Sequence, residues 1–213
     1  MLQFITNDKS SVSVVDQIKG FISGGGRWVQ VRMDNASDEE ISKVVEEVKP
    51  LCTEVQGFLL LHNRVELAKT LDVGGVHLEK SGVLPSKARL ELGPAAVIGV
   101  SVNTIDDIKA VRSLDVDYVA MGPLREGYLF DSSTPVLGFD GIKMLVDEMQ
   151  SLEINIAHVA AGGISKEDAV ELLKMGVNGL AVSDAIACAA DVKKETEEFL
   201  KIIKPFEKFK DEA

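Results

Sequence analysis

The chain has 213 residues, 46% of them hydrophobic, enough for one domain with a sizeable buried core. Its formal net charge of −11 argues against nucleic acid, which requires a basic footprint, and makes binding of an anionic ligand depend on locally concentrated positive charge. No run of about 18 apolar residues marks a membrane span, and no signal-peptide pattern opens the chain. Cys52 and Cys188 lack metal-ligand spacing. A cytoplasmic protein with two reduced core thiols is expected.

Short apolar runs occupy residues 2–6, 28–33, 57–62, 74–78, 96–102, 117–122, 155–161 and 179–182, most bounded by Gly, Pro or Asn. Continuous apolar runs of this kind read as buried parallel strands. Helical patterns lie between them. Residues 37–55 open Ser-Asp-Glu-Glu, an N-cap followed by first-turn acids, and Pro50 is expected to end or kink this helix before Val55. Residues 104–114 have the same form, and 165–175 open Ser-Lys-Glu-Asp and stop at Gly176. Strand–helix alternation repeated about eight times predicts an α/β fold, a single (β/α)8 TIM-barrel domain over residues 1–213, with an open flavodoxin-like sheet as the other solution. The longest irregular stretch, 123–138, follows the sixth strand and is a candidate lid or ligand loop. The charged tail, 207–213, is expected to fray.

The last two strands end in small residues that run into helix starts: Ala161-Gly162-Gly163-Ile164-Ser165 and Val182-Ser183-Asp184. Amide groups at two adjacent turns of this kind favour a phosphate, and barrel proteins often hold one there. Asp184 conflicts with that reading. Either its carboxylate points away or the ligand is not a phosphate.

Seven segments resemble the thiamine phosphate synthase/TenI family. They are Trp28-Val-Gln30-Val-Arg32, His62-Asn63-Arg64-Val-Glu-Leu-Ala, Gly75-Val-His77-Leu, Ile98-Gly-Val-Ser101-Val, Asp117-Tyr-Val-Ala-Met-Gly122-Pro123, Gly162-Gly163-Ile and Ala185-Ile186. The resemblance implies a thiamine-biosynthetic barrel that binds a small phosphorylated heterocycle, a thiazole phosphate and in the synthase a pyrimidine diphosphate as well. It also implies a homodimer, and Mg²⁺ if synthase activity is retained. The synthase expels pyrophosphate, so it needs cations and a metal around the leaving group.

This chain departs from the family at those positions. Asp34 stands where the family has Lys, Asn63 and Gly82 stand at the two metal carboxylates, and the apolar Leu129 and Phe130 fall in the family's hydroxyl- and Lys-bearing loop. TenI-type relatives isomerise a thiazole phosphate without metal, but their histidine two residues after the fifth-strand Ser is Asn103 here.

The candidate catalytic residues are His62, whose ordinary pKa suits proton transfer, and Arg32. The substrate-binding candidates are Gln30, Arg32, Asn63, Ser101, Gly122, Gly162, Gly163 and Ser183. His77 and His158 read as structural, and no metal set is assigned. Two functions stay open: a synthase- or tautomerase-like enzyme, and a non-catalytic phosphate-ligand sensor or regulator on the same barrel.

Overall fold

The computed structural model describes residues 1–127 and 134–207. Eight parallel strands close into a barrel in sequence order: β1 (Leu2–Ile5), β2 (Trp28–Val31), β3 (Phe58–His62), β4 (Gly75–Leu78), β5 (Val97–Val102), β6 (Tyr118–Met121), β7 (Ala157–Ala161) and β8 (Gly179–Val182), with β8 pairing back to β1. The helices α1 (Val14–Ser23), α2 (Asp38–Glu54), α3 (Val65–Thr70), α4 (Pro85–Leu92), α5 (Ile105–Val111), α6 (Gly138–Ser151), α7 (Lys166–Lys174), α8 (Asp184–Ala187) and α9 (Val192–Glu207) surround it. This is the closed barrel, not the open sheet.

Closure follows from the two-residue strand period. One face of each strand packs on the helices through an apolar layer that includes Phe4, Val29, Leu61, Val76, Ile98, Val119, Ala160 and Leu180. The other face points to the barrel axis, where a smaller cluster gathers Ile5, Leu60, Tyr118, Ala120, Val159, Ala161 and Ala181. Tyr118 fills much of this interior, edge-on to Trp28 with ring centroids 4.8 Å apart. A side chain at Gly99 would put Cβ 2.1 Å from the Tyr118 ring, so the neighbouring strand must carry glycine there.

Helix starts are fixed by local chemistry. Ser37 and Glu40 form a reciprocal capping box on α2, and Thr104 and Asp107 do so on α5. Pro50 lies inside α2 and does not end it. Ile41, Val45, Val48 and Cys52 are all buried, so packing on both sides of the proline holds the last turn against the local penalty. The expectation of two core thiols is also corrected: Cys52 is buried but Cys188, just past the short α8, is exposed. Residues 128–133 of the candidate lid and 208–213 of the tail lie outside the described residues. Among the described residues, no helix is long and apolar enough to cross a membrane.

Candidate ligand site at the barrel mouth

The inward-facing side chains toward the C-terminal ends of the strands are polar. Gln3, Gln30, His62, His77 and Ser101 are all buried, and they form one hydrogen-bonded chain across the barrel. The Gln3 amide donates to Gln30 Oε1 at 3.0 Å and to the Tyr118 hydroxyl oxygen at 2.9 Å. The Tyr118 hydroxyl oxygen also lies 2.8 Å from His77 Nδ1, and His77 Nε2 lies 3.0 Å from the Ser101 hydroxyl oxygen. On the other branch the Gln30 amide nitrogen lies 3.0 Å from His62 Nδ1, and the Asn63 amide nitrogen lies 3.3 Å from His62 Nε2. His77 thus has the structural, satisfied role expected of it.

His62 does not suit neutral-pH acid–base work. Burial, together with the positive charges of Arg32 and Arg64, lowers its pKa to about 3. It is a neutral hydrogen-bonding group in the mouth wall. Asn103, at the TenI histidine position, donates its side-chain amide to Gly122 O and so is engaged within the loop.

Arg32 stands at the end of β2, its backbone pinned by Thr6, which donates to the Arg32 carbonyl at 3.0 Å and accepts its N–H at 2.9 Å. The guanidinium grips Asp34 through Nε at 3.1 and 3.0 Å and through a second nitrogen at 3.0 Å. Glu79 Oε1 lies 4.0 Å from its third nitrogen. The sequence reading missed Glu79. It follows His77 by two residues, so strand alternation places it on the same inward face. Burial raises its pKa, against the opposing effects of the Ser101 hydroxyl and Arg32.

At the opposite side of the mouth, Gly162 and Gly163 have φ of 91° and 64°, a left-handed pair that non-glycine residues rarely adopt. The segment after β6 lies along this turn: Leu124 and Arg125 donate backbone N–H groups to Ala161 O and Gly162 O at 2.9 and 3.1 Å. Arg125 also clamps Asp168 at the start of α7, with both nitrogen–oxygen distances 2.5 Å. A Cβ on Gly127 would stand 3.6 Å from Gly163 N and 3.9 Å from Asp184 Oδ2. Asp184 accepts from the Asn7 amide at 2.8 Å through its other oxygen. Its carboxylate therefore remains beside the glycine turn. Ser183 is buried with its hydroxyl unpartnered.

The donor set does not fit the Mg²⁺ that the resemblance implies. Among the described residues no group of three or more His, Cys, Asp or Glu is arranged to hold a metal. The Asn63 carbonyl oxygen is engaged by the Glu79 N–H at 2.9 Å, and Gly82 offers no ligand.

The closed barrel with a polar array at the C-terminal strand ends defines a TIM-barrel protein. A family model described as thiamine monophosphate synthase matches residues 2–186. The thiamine-phosphate synthase of Bacteroides fragilis is 40% identical over 201 residues, covering 94% of this chain and 98% of that protein. That of Pyrococcus furiosus is 30% identical over 204 residues, covering 94% and 93%. The structure of the P. furiosus thiamine phosphate pyrophosphorylase superposes with a TM-score of 0.84 at 30% identity over 96% of each chain. The chain belongs to the thiamine monophosphate synthase family of thiamine biosynthesis.

Proposed function

We propose that this family member binds a heterocyclic ligand of thiamine biosynthesis at its barrel mouth and performs the synthase reaction slowly or not at all. The supporting observation is the state of Arg32. Its guanidinium is paired with Asp34 and has a second carboxylate, Glu79, 4.0 Å away. A synthase must stabilise departing pyrophosphate, and the charge that would do so is neutralised. At an effective dielectric of about 20, two unit charges about 4 Å apart interact by roughly 4 kcal/mol before solvent screening. Repulsion from either carboxylate is thus of the same size as the attraction from Arg32.

The tautomerase reading lacks an acid–base group at both positions considered from sequence, His62 and Asn103. The same observations favour a ligand-binding sensor or regulator over either enzyme. The deciding measurement is pyrophosphate release by the purified protein with thiazole phosphate, pyrimidine diphosphate and Mg²⁺, alongside growth rescue of thiamine-requiring cells that lack the synthase. No release above background and no rescue are expected. Release at an ordinary enzymatic rate would overturn the proposal.

A further inference from the structure

We infer that Arg125 is a positioning residue of the mouth: anchored on Asp168, it fixes the peptide units that follow β7 so that their N–H groups meet the phosphate end of a ligand that Arg125 itself does not touch. This deepens the proposed function and rests on the mouth being the ligand site.

The first observation is the direction of the turn. Gly162 O accepts the Arg125 backbone N–H at 3.1 Å, and Gly163 O accepts from the Arg125 guanidinium at 3.0 Å. In a trans peptide the N–H points opposite to the C=O of the same unit. Both carbonyls face Arg125, so the N–H groups of Gly163 and Ile164 point away from it. Two consecutive left-handed glycines are the freest backbone available, and such a turn keeps one orientation only if something outside holds it. Arg125 supplies that hold to both peptide units.

The second observation is the anchoring of Arg125. Its two terminal nitrogens each meet one oxygen of Asp168 at 2.5 Å, a forked pair. The Asp168 side chain is only 6% exposed and also accepts from the Ser165 N–H and hydroxyl at 2.8 and 2.9 Å. The Phe139 ring of α6 lies 5.9 Å from the guanidinium carbon. One side chain thus ties the segment after β6, the glycine turn, α6 and α7 together. A lysine would supply the charge but not the fork.

The third observation lies on the neighbouring strand. Ala161 pairs with Ala181, and Gly163 and Ser183 each follow that pair by two residues at the ends of β7 and β8. Ser183 is 4% exposed and its hydroxyl has no partner. A buried hydroxyl in that state, beside directed amides, suits an acceptor such as a phosphate oxygen. The Asp184 carboxylate opposes an anion there, equally in the wild type and in the variants below.

Titration calorimetry of the full chain with thiazole phosphate tests the role, with circular dichroism as the check on folding. Arg125→Gln is expected to lower affinity about tenfold or more, because the amides lose their set direction. Arg125→Lys keeps the charge and is expected to stay near the Arg125→Gln value. Asp168→Asn retains a helix cap but weakens the anchor, and should lower affinity about threefold or more. Nuclear magnetic resonance of the same titration should show the Gly163 and Ile164 amides shifting in the wild type and much less in Arg125→Gln, a signature that loss of stability alone does not produce.

If the wild type does not bind thiazole phosphate at millimolar concentration, the proposed function falls and this inference with it. If it binds, and folded Arg125→Gln binds as tightly, the inference alone falls. Recovery of affinity in Arg125→Lys, or tighter binding in Asp168→Asn as the guanidinium is released, would show that Arg125 acts by its charge and would overturn the positioning role.

Discussion

Lowering the pH from 7 to 5 should destabilise this protein well before its carboxylates protonate. The perturbation acts on His62, whose folded pKa is about 3 against an ordinary value of 6.5, because burial disfavours the imidazolium. His77 is shifted in the same direction by complete burial and by its neighbour His62. In the unfolded chain both rings take up a proton as pH falls through about 6.5, while the folded rings stay neutral. The unfolded state therefore binds more protons throughout this window, and stability is lost as pH falls from about 6.5 toward 3. Each such ring contributes a slope approaching about 1.4 kcal/mol per pH unit. At pH 5 the His62 share is about 2 kcal/mol, set against the 5–15 kcal/mol typical of a domain, and His77 adds to the loss in the same direction. For a chain of this size the His62 share alone should lower the thermal midpoint by roughly 6 °C. Urea titrations at half-unit pH steps read this directly, with His62→Gln as the comparison. The variant should have a pH slope smaller by about one proton in this range. Equal slopes in the two proteins, or a His62 ring that titrates near 6.5 by nuclear magnetic resonance, would refute the reasoning.

Tyr118→Phe removes the hydroxyl between Gln3 and His77, leaving buried His77 Nδ1 without a partner and costing the Gln3 amide one of its two. It should cost about 1–3 kcal/mol in urea unfolding. Asp168→Ala removes the acceptor of the Ser165 N–H and O–H at the start of α7 together with the Arg125 ion pair. Arg125 is half exposed, so most of the expected loss, about 1–2 kcal/mol by thermal melt, comes from the helix cap. Gly99→Ala drives a methyl group into the Tyr118 ring and should cost about 3 kcal/mol or more, seen as loss of folded protein on expression.

The strand–helix alternation was readable because buried parallel strands and amphipathic helices have different periods, and capping residues such as Ser37, Thr104 and Ser165 mark helix starts by local chemistry alone. At Pro50, where local propensity predicts an end or a kink, the helix does not end, and the burial of Cys52 two residues on is a tertiary fact. Gln30, His62, Ser101, Gly163 and Ser183 were correctly placed at strand ends, since barrel geometry makes those positions predictable. Their states were not readable. Nothing in the order of residues says that His62 is flanked by Gln30 and desolvated to a neutral form, or that Cys188 faces solvent.

The sequence by itself determined the barrel, the family and the rim on which its site stands, because these depend on period, turn chemistry and motif. Only the tertiary structure decided the charge of that site. Whether the Arg32–Asp34 pair forms, whether Glu79 joins it and whether Asp184 turns away are questions of distance in space. Electrostatic energy depends on those distances and on burial, and neither is written along a linear polymer.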